Sequence, residues 1–375
     1  MRNKTVWPLN FLIMLTVLLL SCTPAVPKQE EKPVTKEEAA QVLKEKEPEK
    51  VTEPESKNVN VVRSEPQPTQ EPQPSQEPPT QTQEPQPLEF PPLPEEGPVP
   101  PHKYQELALF VLDLINKDRV ANGLNPVVLG GNTASQKHAE EGLANVFSSH
   151  WGMDGLKPYM RYTLAGGVNY VNENVLGTGI ASGGAPSGAR DIKEILKQAK
   201  ERFMGSPSHR ANILYKWHKK VSLGIAYDGE NLQLVQHFEG DYLRFRELPG
   251  ISGSILSMNG KVAIGSIDRI VLHYDPLPQP LTSEQLNASP YDSSYSLGGI
   301  IGNVLPPPPP GSYYTNLLPT DVVATTWQTQ ADGSFAVKAN IGPILGKGKG
   351  VYTVAVLVKM GGELVAISNY SIFIR

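Results

Sequence analysis

The sequence predicts an α+β protein, in which a helix-rich part precedes a strand-rich part and both sit behind a proline-rich tether. Three observations lead there. The composition changes abruptly near His102, where "EPQPTQEPQPSQEPPTQTQEPQP" and its flanks give way to periodic apolar residues. Apolar residues at helical spacing then recur as far as about residue 214. Beyond Gly250 the chain breaks into short β-branched runs separated by Gly, Pro, Asn and Asp.

The order of elements begins with "MRNK" and an apolar run from Phe11 to Leu20, followed by Ser21 and Cys22. A charged start, a short apolar segment and a small residue before the cut make residues 1–22 a secretory signal. The run is too short for a comfortable membrane span. "LLLSC" resembles the bacterial lipobox, which implies that Cys22 is lipidated and anchors the mature chain to a bilayer on the extracytoplasmic side of a bacterial membrane. Cys22 is the one cysteine of the chain, so no disulfide framework forms within it.

Residues 23–101 read as a disordered tether rich in Pro, Glu and Gln. Their apolar content is too low to offset the entropy of ordering. They hold 8 Lys and Arg against 16 Glu, a net charge of −8, whereas residues 102–375 carry +2. An acidic spacer before a nearly neutral globular part, without a dense basic patch, gives no footprint for nucleic acid.

In "HKYQELALFVLDLINKDRVANG", Leu107, Phe110, Val111, Leu114 and Ile115 share one helical face, and Gly123 stops the helix. "NTASQKHAEEGLAN" (132–145) predicts a second helix. A loop-rich stretch covers 146–177, and a Gly/Ser/Ala loop, read as a variable surface connection, follows to about 190. A third helix spans about 191–204. "SPSHRANIL" then reads as a short helix capped by Ser206, with Pro207 in its first turn and His209 three positions in. "VSLGIAY" and "LQLVQHF" around "DGEN" predict a hairpin. The second domain is placed at 249–375, after Pro249-Gly250, and is read as free of good helices. "GSILSM", "DRIVLHYD", "DVVATTWQ", "SFAVKANI" and two runs about Gly361-Gly362 read as its strands, and short strands with frequent turns suggest a β-sandwich.

Four segments of the first domain, "LINKDRVANGLNPV", "SSHWGMDGLKPYMRYTLAGG", "VNENV" and "GSPSHRANIL" with the hairpin after it, are together similar to the CAP superfamily. This superfamily, also called the SCP domain, groups cysteine-rich secretory, antigen 5 and pathogenesis-related 1 proteins. The resemblance covers 102–246 within a domain set at 102–248. It implies an α-β-α sandwich with a shallow cleft holding two histidines and one or two acids. His150 matches the first histidine, Glu173 the acid of the "NENV" segment and His209 the second histidine. Ser206 stands near the position of the second acid, and Glu201 is out of register.

A histidine in a helix's first turn meets positive partial charge, which lowers its pKa and keeps the ring neutral. Neutral imidazole binds metal or accepts a proton. His150 and His209 are therefore candidate ligands for zinc or another divalent metal, although their sequence spacing matches no metal signature. The same trio suits a general base for water, or a polar cluster that only pins loops together. His138 reads as a surface or packing residue, His237 is left unassigned, and His218 and His273 have no constellation about them.

Two functions follow. The favoured one is a surface-anchored module whose cleft binds a lipid or peptide without turnover. The other is a metal-dependent hydrolase or protease acting on envelope or extracellular polymers. The family includes lipid and sterol binders, and no nucleophile stands out here, which leans away from an enzyme. If Cys22 is the anchor, Cys22→Ala moves the protein from the membrane to the soluble fraction. Quantitative sedimentation of that variant with membranes would mean a different anchor.

Overall fold

A computed structural model of the chain describes residues 60–63, 103–178 and 191–375. Cys22, most of the tether and the Gly-rich loop at 179–190 lie outside the described residues. The protein is α+β. Among the described residues no helix is long and apolar enough to cross a membrane.

The first element, β1 (Asn60–Arg63), lies inside the expected tether. It pairs antiparallel with Ser312–Thr315. The local reason is in the sequence: "VNVV" at 59–62 is a β-branched island in an otherwise Pro-, Glu- and Gln-rich stretch.

The helix-rich half is built on a four-stranded sheet in the order β2 (Val128–Leu129), β4 (Lys220–Tyr227), β5 (Leu232–Glu239), β3 (Val171–Thr178). The β2–β4 pair is parallel and the others antiparallel. The hairpin β4–β5 matches its expectation. Side-chain alternation sends Val221, Leu223, Ile225, Leu232, Leu234 and Phe238 to one face. There they meet α1 (Gln105–Ala121), α4 (Ile192–Gly205) and α5 (Pro207–Ile213) through Val111, Ile115, Leu196, Phe203 and Ile213. On α1, Leu107 and Phe110 pack against this core, while Leu114 is only half-buried. The helix instead buries Arg119 completely, and its guanidinium satisfies the carbonyls of Asn125, Ile213 and Tyr215.

The opposite face takes α2 (Ala134–Ala144), where Ala139 packs on Ala226 and Val235. The approach is close: a Cβ on Gly224 would run into the Ser135 carbonyl. The stretch expected to be loop-rich holds two elements, α3 (Pro158–Leu164) and β3. Pro158 opens α3 where its missing N–H costs nothing. β3 escaped detection because "VNENVLGT" mixes polar residues and glycine without clean alternation.

The strand-rich half contains two sheets. One has the order β11 (Val322–Val323), β9 (Gly299–Leu305), β8 (Ser266–Asp275), β14 (Gly350–Met360), β15 (Glu363–Ile374). The other has β12 (Thr326–Thr329), β13 (Ser334–Asn340), β7 (Ile255–Val262), β6 (Leu243–Ser252). They share one core, in which Leu256, Met258, Phe335 and Val337 meet Ile270, Leu272, Val354 and Val356. The remaining strand, β10 (Ser312–Thr315), pairs with β1. "DVVATTWQ" is not one strand. It splits at Ala324-Thr325, whose amides bond Leu305 in one sheet and Lys338 in the other, so the chain turns the corner there. The half also has a one-turn helix, α6 (Ser283–Leu286), held by a Thr282/Gln285 capping box.

The expected boundary at 248/249 falls within β6, and Tyr242, Leu243 and Phe245 already belong to the strand-rich core. No seam separates the halves, and residues 103–375 fall in one compact unit. Tyr159, Met160, Tyr162 and Val171 from the first half share a core with Val351, Tyr295 and Phe373 from the second. Polar contacts reinforce it. Lys157 and Tyr159 both bond Asp275, at 2.7 and 2.6 Å, and the amide of Tyr170 donates to Ile367 at 2.9 Å. The helix-rich half is therefore not expected to fold alone. A chain ending at Leu248 should lose about 3 kcal/mol or more, at about 1.5–3 kcal/mol per large side chain exposed. Thermal melting followed by circular dichroism checks this, and a truncated chain melting with the full one would show the halves to be independent.

Candidate functional site

Glu173 stands near the start of β3, on the α2 and α3 side of the sheet, with its side chain fully buried. Register places it directly opposite His237 of β5. His237 Nε2 lies 2.7 Å from Glu173 Oε2, and Arg161 of α3 donates to the same oxygen at 2.9 Å. His150 Nδ1 lies 2.8 Å from Glu173 Oε1. Each of the three partners comes from a different element.

Burial alone would push the Glu173 carboxyl up. The Arg161 charge and the hydrogen bonds from His150 and His237 outweigh it and hold the group well below the usual carboxylate range. Arg161 also donates to the carbonyls of His150 and Leu156, so the group that neutralises the carboxylate also shapes the loop carrying His150.

His209 approaches the site from the other side of the sheet. Its ring packs edge-on against Phe203, with centroids 5.0 Å apart, and its carbonyl accepts from Asn174, the neighbour of Glu173. Its pKa is lowered, the expected direction, with burial first and then the His150 charge as its causes. Ser206 occupies the N-cap position without a side-chain capping bond, and its hydroxyl faces Ser208 instead. Asn174 also bonds Gln236 and Asn212, and Asn212 in turn bonds His218. Burial and the Arg119 charge push His218 down to about 3.

The structure thus joins His150 directly to Glu173 and brings His209 within electrostatic reach of His150. Sequence reasoning missed Arg161 and Tyr295 and left His237, on the last strand, unassigned. The strand pattern of "LVQHF" was the one signal for His237. Tyr295 lies 122 residues from Glu173 and left no signal. His138 is buried inside the fold and not at the surface, with Nε2 2.8 Å from the Ser149 carbonyl. His273 bonds the Gly298 carbonyl, away from the site. Glu201 is exposed. A second buried acid does exist, Glu239, but it is bound to Ser222 and Tyr162 and its pKa is raised by burial.

As donors for a metal, both Glu173 oxygens are already engaged. His150 keeps Nε2 free of its Glu173 contact, and His209 offers its ring. Among the described residues no group of three or more His, Cys, Asp or Glu side chains is placed to hold a metal ion. The two imidazoles offer the donor atoms not taken up by the carboxylate. They do not fit a three-ligand catalytic centre.

An ionised Glu173 stabilises the fold above the ordinary glutamate value of 4.5, and its contribution is lost as pH falls toward the lower folded value. His209 and His218 take up protons near 6.5 only when unfolded, so stability also falls as pH drops below that value. Glu173→Gln should cost about 3 kcal/mol near neutral pH, because it leaves Arg161 buried without its counter-charge. The variant should keep the histidine-linked loss below 6.5 and lose the carboxylate-linked one below 4.5. Urea unfolding across that range checks both, and a parent-like acid limb in the variant would place the carboxylate effect elsewhere.

Neither a family model nor a curated protein matches the chain. Among solved structures it is similar to an outer surface protein of Borrelia burgdorferi, at 16% identity, covering 37% of this chain and 97% of that one, with a TM-score of 0.30. It is also similar to an extracellular protein containing an SCP domain from Bacillus anthracis, at 19% identity, covering 39% of this chain and 45% of that one, with a TM-score of 0.29. Likenesses this remote carry no argument for fold or function.

Proposed function

We propose that the protein is an extracytoplasmic binding module of the CAP type, held to a bacterial membrane by a lipidated Cys22, whose cleft presents His150 and His209 to a small ligand, lipid or peptide. The observation that carries this reading is the engagement of both Glu173 oxygens by His150, His237 and Arg161. With three donors on it and its side chain fully buried, this carboxylate orients an imidazole and is not presented to solvent. Its depressed pKa also makes it a poor base, since a general base works best near the operating pH. Glu173 is therefore not the base a hydrolase would use, and among the described residues no group of three or more His, Cys, Asp or Glu side chains is placed to hold a metal ion.

The CAP assignment is supported by the four sequence segments and by helices on both faces of the β2–β4–β5–β3 sheet. A divalent metal such as zinc enters this reading as a weak occupant held by His150 Nε2 and His209. When bound it supplies a positive centre for an anionic or carbonyl group of the ligand. Protons compete for the same lone pairs, so uptake should weaken as pH falls through the imidazole range.

Zinc titration of the chain from residue 23, at about pH 7.5 and about pH 5.5, tests this for the parent, His150→Ala and His209→Ala. The expected result is weak uptake at the higher pH, lost in both variants and at the lower pH. Equal uptake by all three proteins would place the metal elsewhere. Hydrolysis of an envelope polymer that disappears in His150→Ala would overturn the binding reading.

A further inference from the structure

The strand-rich half sends residues 276–298 back across the His150 loop. Asn287 clamps that loop, donating to the Val146 carbonyl at 2.9 Å and accepting from the Ser148 amide at 3.2 Å. Ser149 donates to the Tyr291 carbonyl at 2.6 Å, and the Tyr291 ring stands edge-on to Trp151 at 5.3 Å. The amide of Leu281 donates to Met153 at 2.8 Å. Val146, at φ 57°, is the left-handed residue that ends α2, where the Phe147 amide donates to the Gly142 carbonyl at 3.0 Å.

Tyr295 is the member of this segment that reaches the cleft. Its hydroxyl accepts the Glu173 amide proton at 3.1 Å. Its ring centroid lies 4.7 Å from that of His150, with the planes 55° apart. Tyr159 backs it at 6.4 Å. The ring therefore limits how the His150 imidazole turns about its last torsion, a broad and soft coordinate when nothing restrains it.

We propose that Tyr295 is a positioning residue of the cleft, its ring holding the His150 imidazole in the orientation that presents Nδ1 to Glu173 and Nε2 outward. A carboxylate oxygen paired with Arg161 accepts, so the His150 nitrogen 2.8 Å from Glu173 bears the proton. The neutral ring is then a single tautomer, Nδ1–H, with its lone pair on Nε2. The helix-rich half supplies the Glu173 bond to Nδ1, and the flat face against the ring comes from the strand-rich half. The strand-rich half thereby forms part of the cleft. The inference deepens the binding reading but rests on it only for the use of the lone pair.

The competing account is that Tyr295 only caps β3, an edge strand. Asn369 does that one turn of the pleat away, bonding both the amide and the carbonyl of Val171, with no ring near His150. Asn369→Ala is thus a control for a lost cap.

The experiment uses the mature-length chain with Cys22→Ala, labelled with nitrogen-15 in histidine and held above the imidazole range. The His150 signals are assigned by their loss in His150→Gln. The parent, Tyr295→Phe and Asn369→Ala should each show the pure Nδ1–H pattern. Tyr295→Ala should show averaging between the two tautomers. Tyr295→Leu, which fills the gap without a flat face, should average in the same way if the alanine variant does not fold. A pure Nδ1–H pattern in Tyr295→Ala or Tyr295→Leu would reduce Tyr295 to an edge cap, and averaging in the parent would overturn the proposal outright. No metal or ligand is added, so its failure is distinct from a failure of zinc uptake.

Discussion

The structure turns on one buried carboxylate. An ionised group out of water is tolerated only with opposite charge and hydrogen bonds about it. Glu173 recruits Arg161, His150 and His237 from three separate elements, so its neutralisation fixes how α3, β5 and the His150 loop meet. Glu239 shows what the same burial does without an arginine. On the neighbouring strand, bonded only to hydroxyls, it is pushed toward its neutral form. One sheet face thus carries two buried acids whose pKa values move in opposite directions, the lowered one beside Arg161.

The parts of the fold legible in the sequence are those with a strong local period or turn. The face of α1, the β4–β5 hairpin and the β14–β15 hairpin about Gly361-Gly362 are of this kind. β3 and β6 are not. β3 is polar because it lines the site, and β6 carries charges and Pro249 and is broken by register shifts against β7. The same reason governs the site. His150, Glu173 and His209 were legible through a family resemblance, and the direction of the His209 shift came from a general rule. Arg161, His237 and Tyr295 acquire their roles from strand register and from packing across the chain. Local sequence carries neither, apart from the strand pattern around His237.

The division into two domains was the least transferable expectation, because composition marks where strands replace helices and not where contacts stop. The outer face of β14 and β15, which an isolated two-sheet domain would turn to water, instead packs on α3 through Val351 and Phe373. Asp275, at the end of β8, holds Lys157 and Tyr159 of the other half. Any account of the cleft that treats the strand-rich half as an appendage omits one of its walls.

The outer edge of β3 gives this junction a signature of its own. Its free amides are met by side chains and not by another strand: Val171 N–H by Asn369 and Glu173 N–H by Tyr295. Amides in a ladder are released only when the ladder opens, whereas these two are released whenever the halves part, even with the β3–β5 pairing intact. Their solvent exchange therefore reads the breathing of the junction separately from the unfolding of the sheet. Two backbone protons beside the cleft serve as a built-in gauge of how firmly its wall is seated.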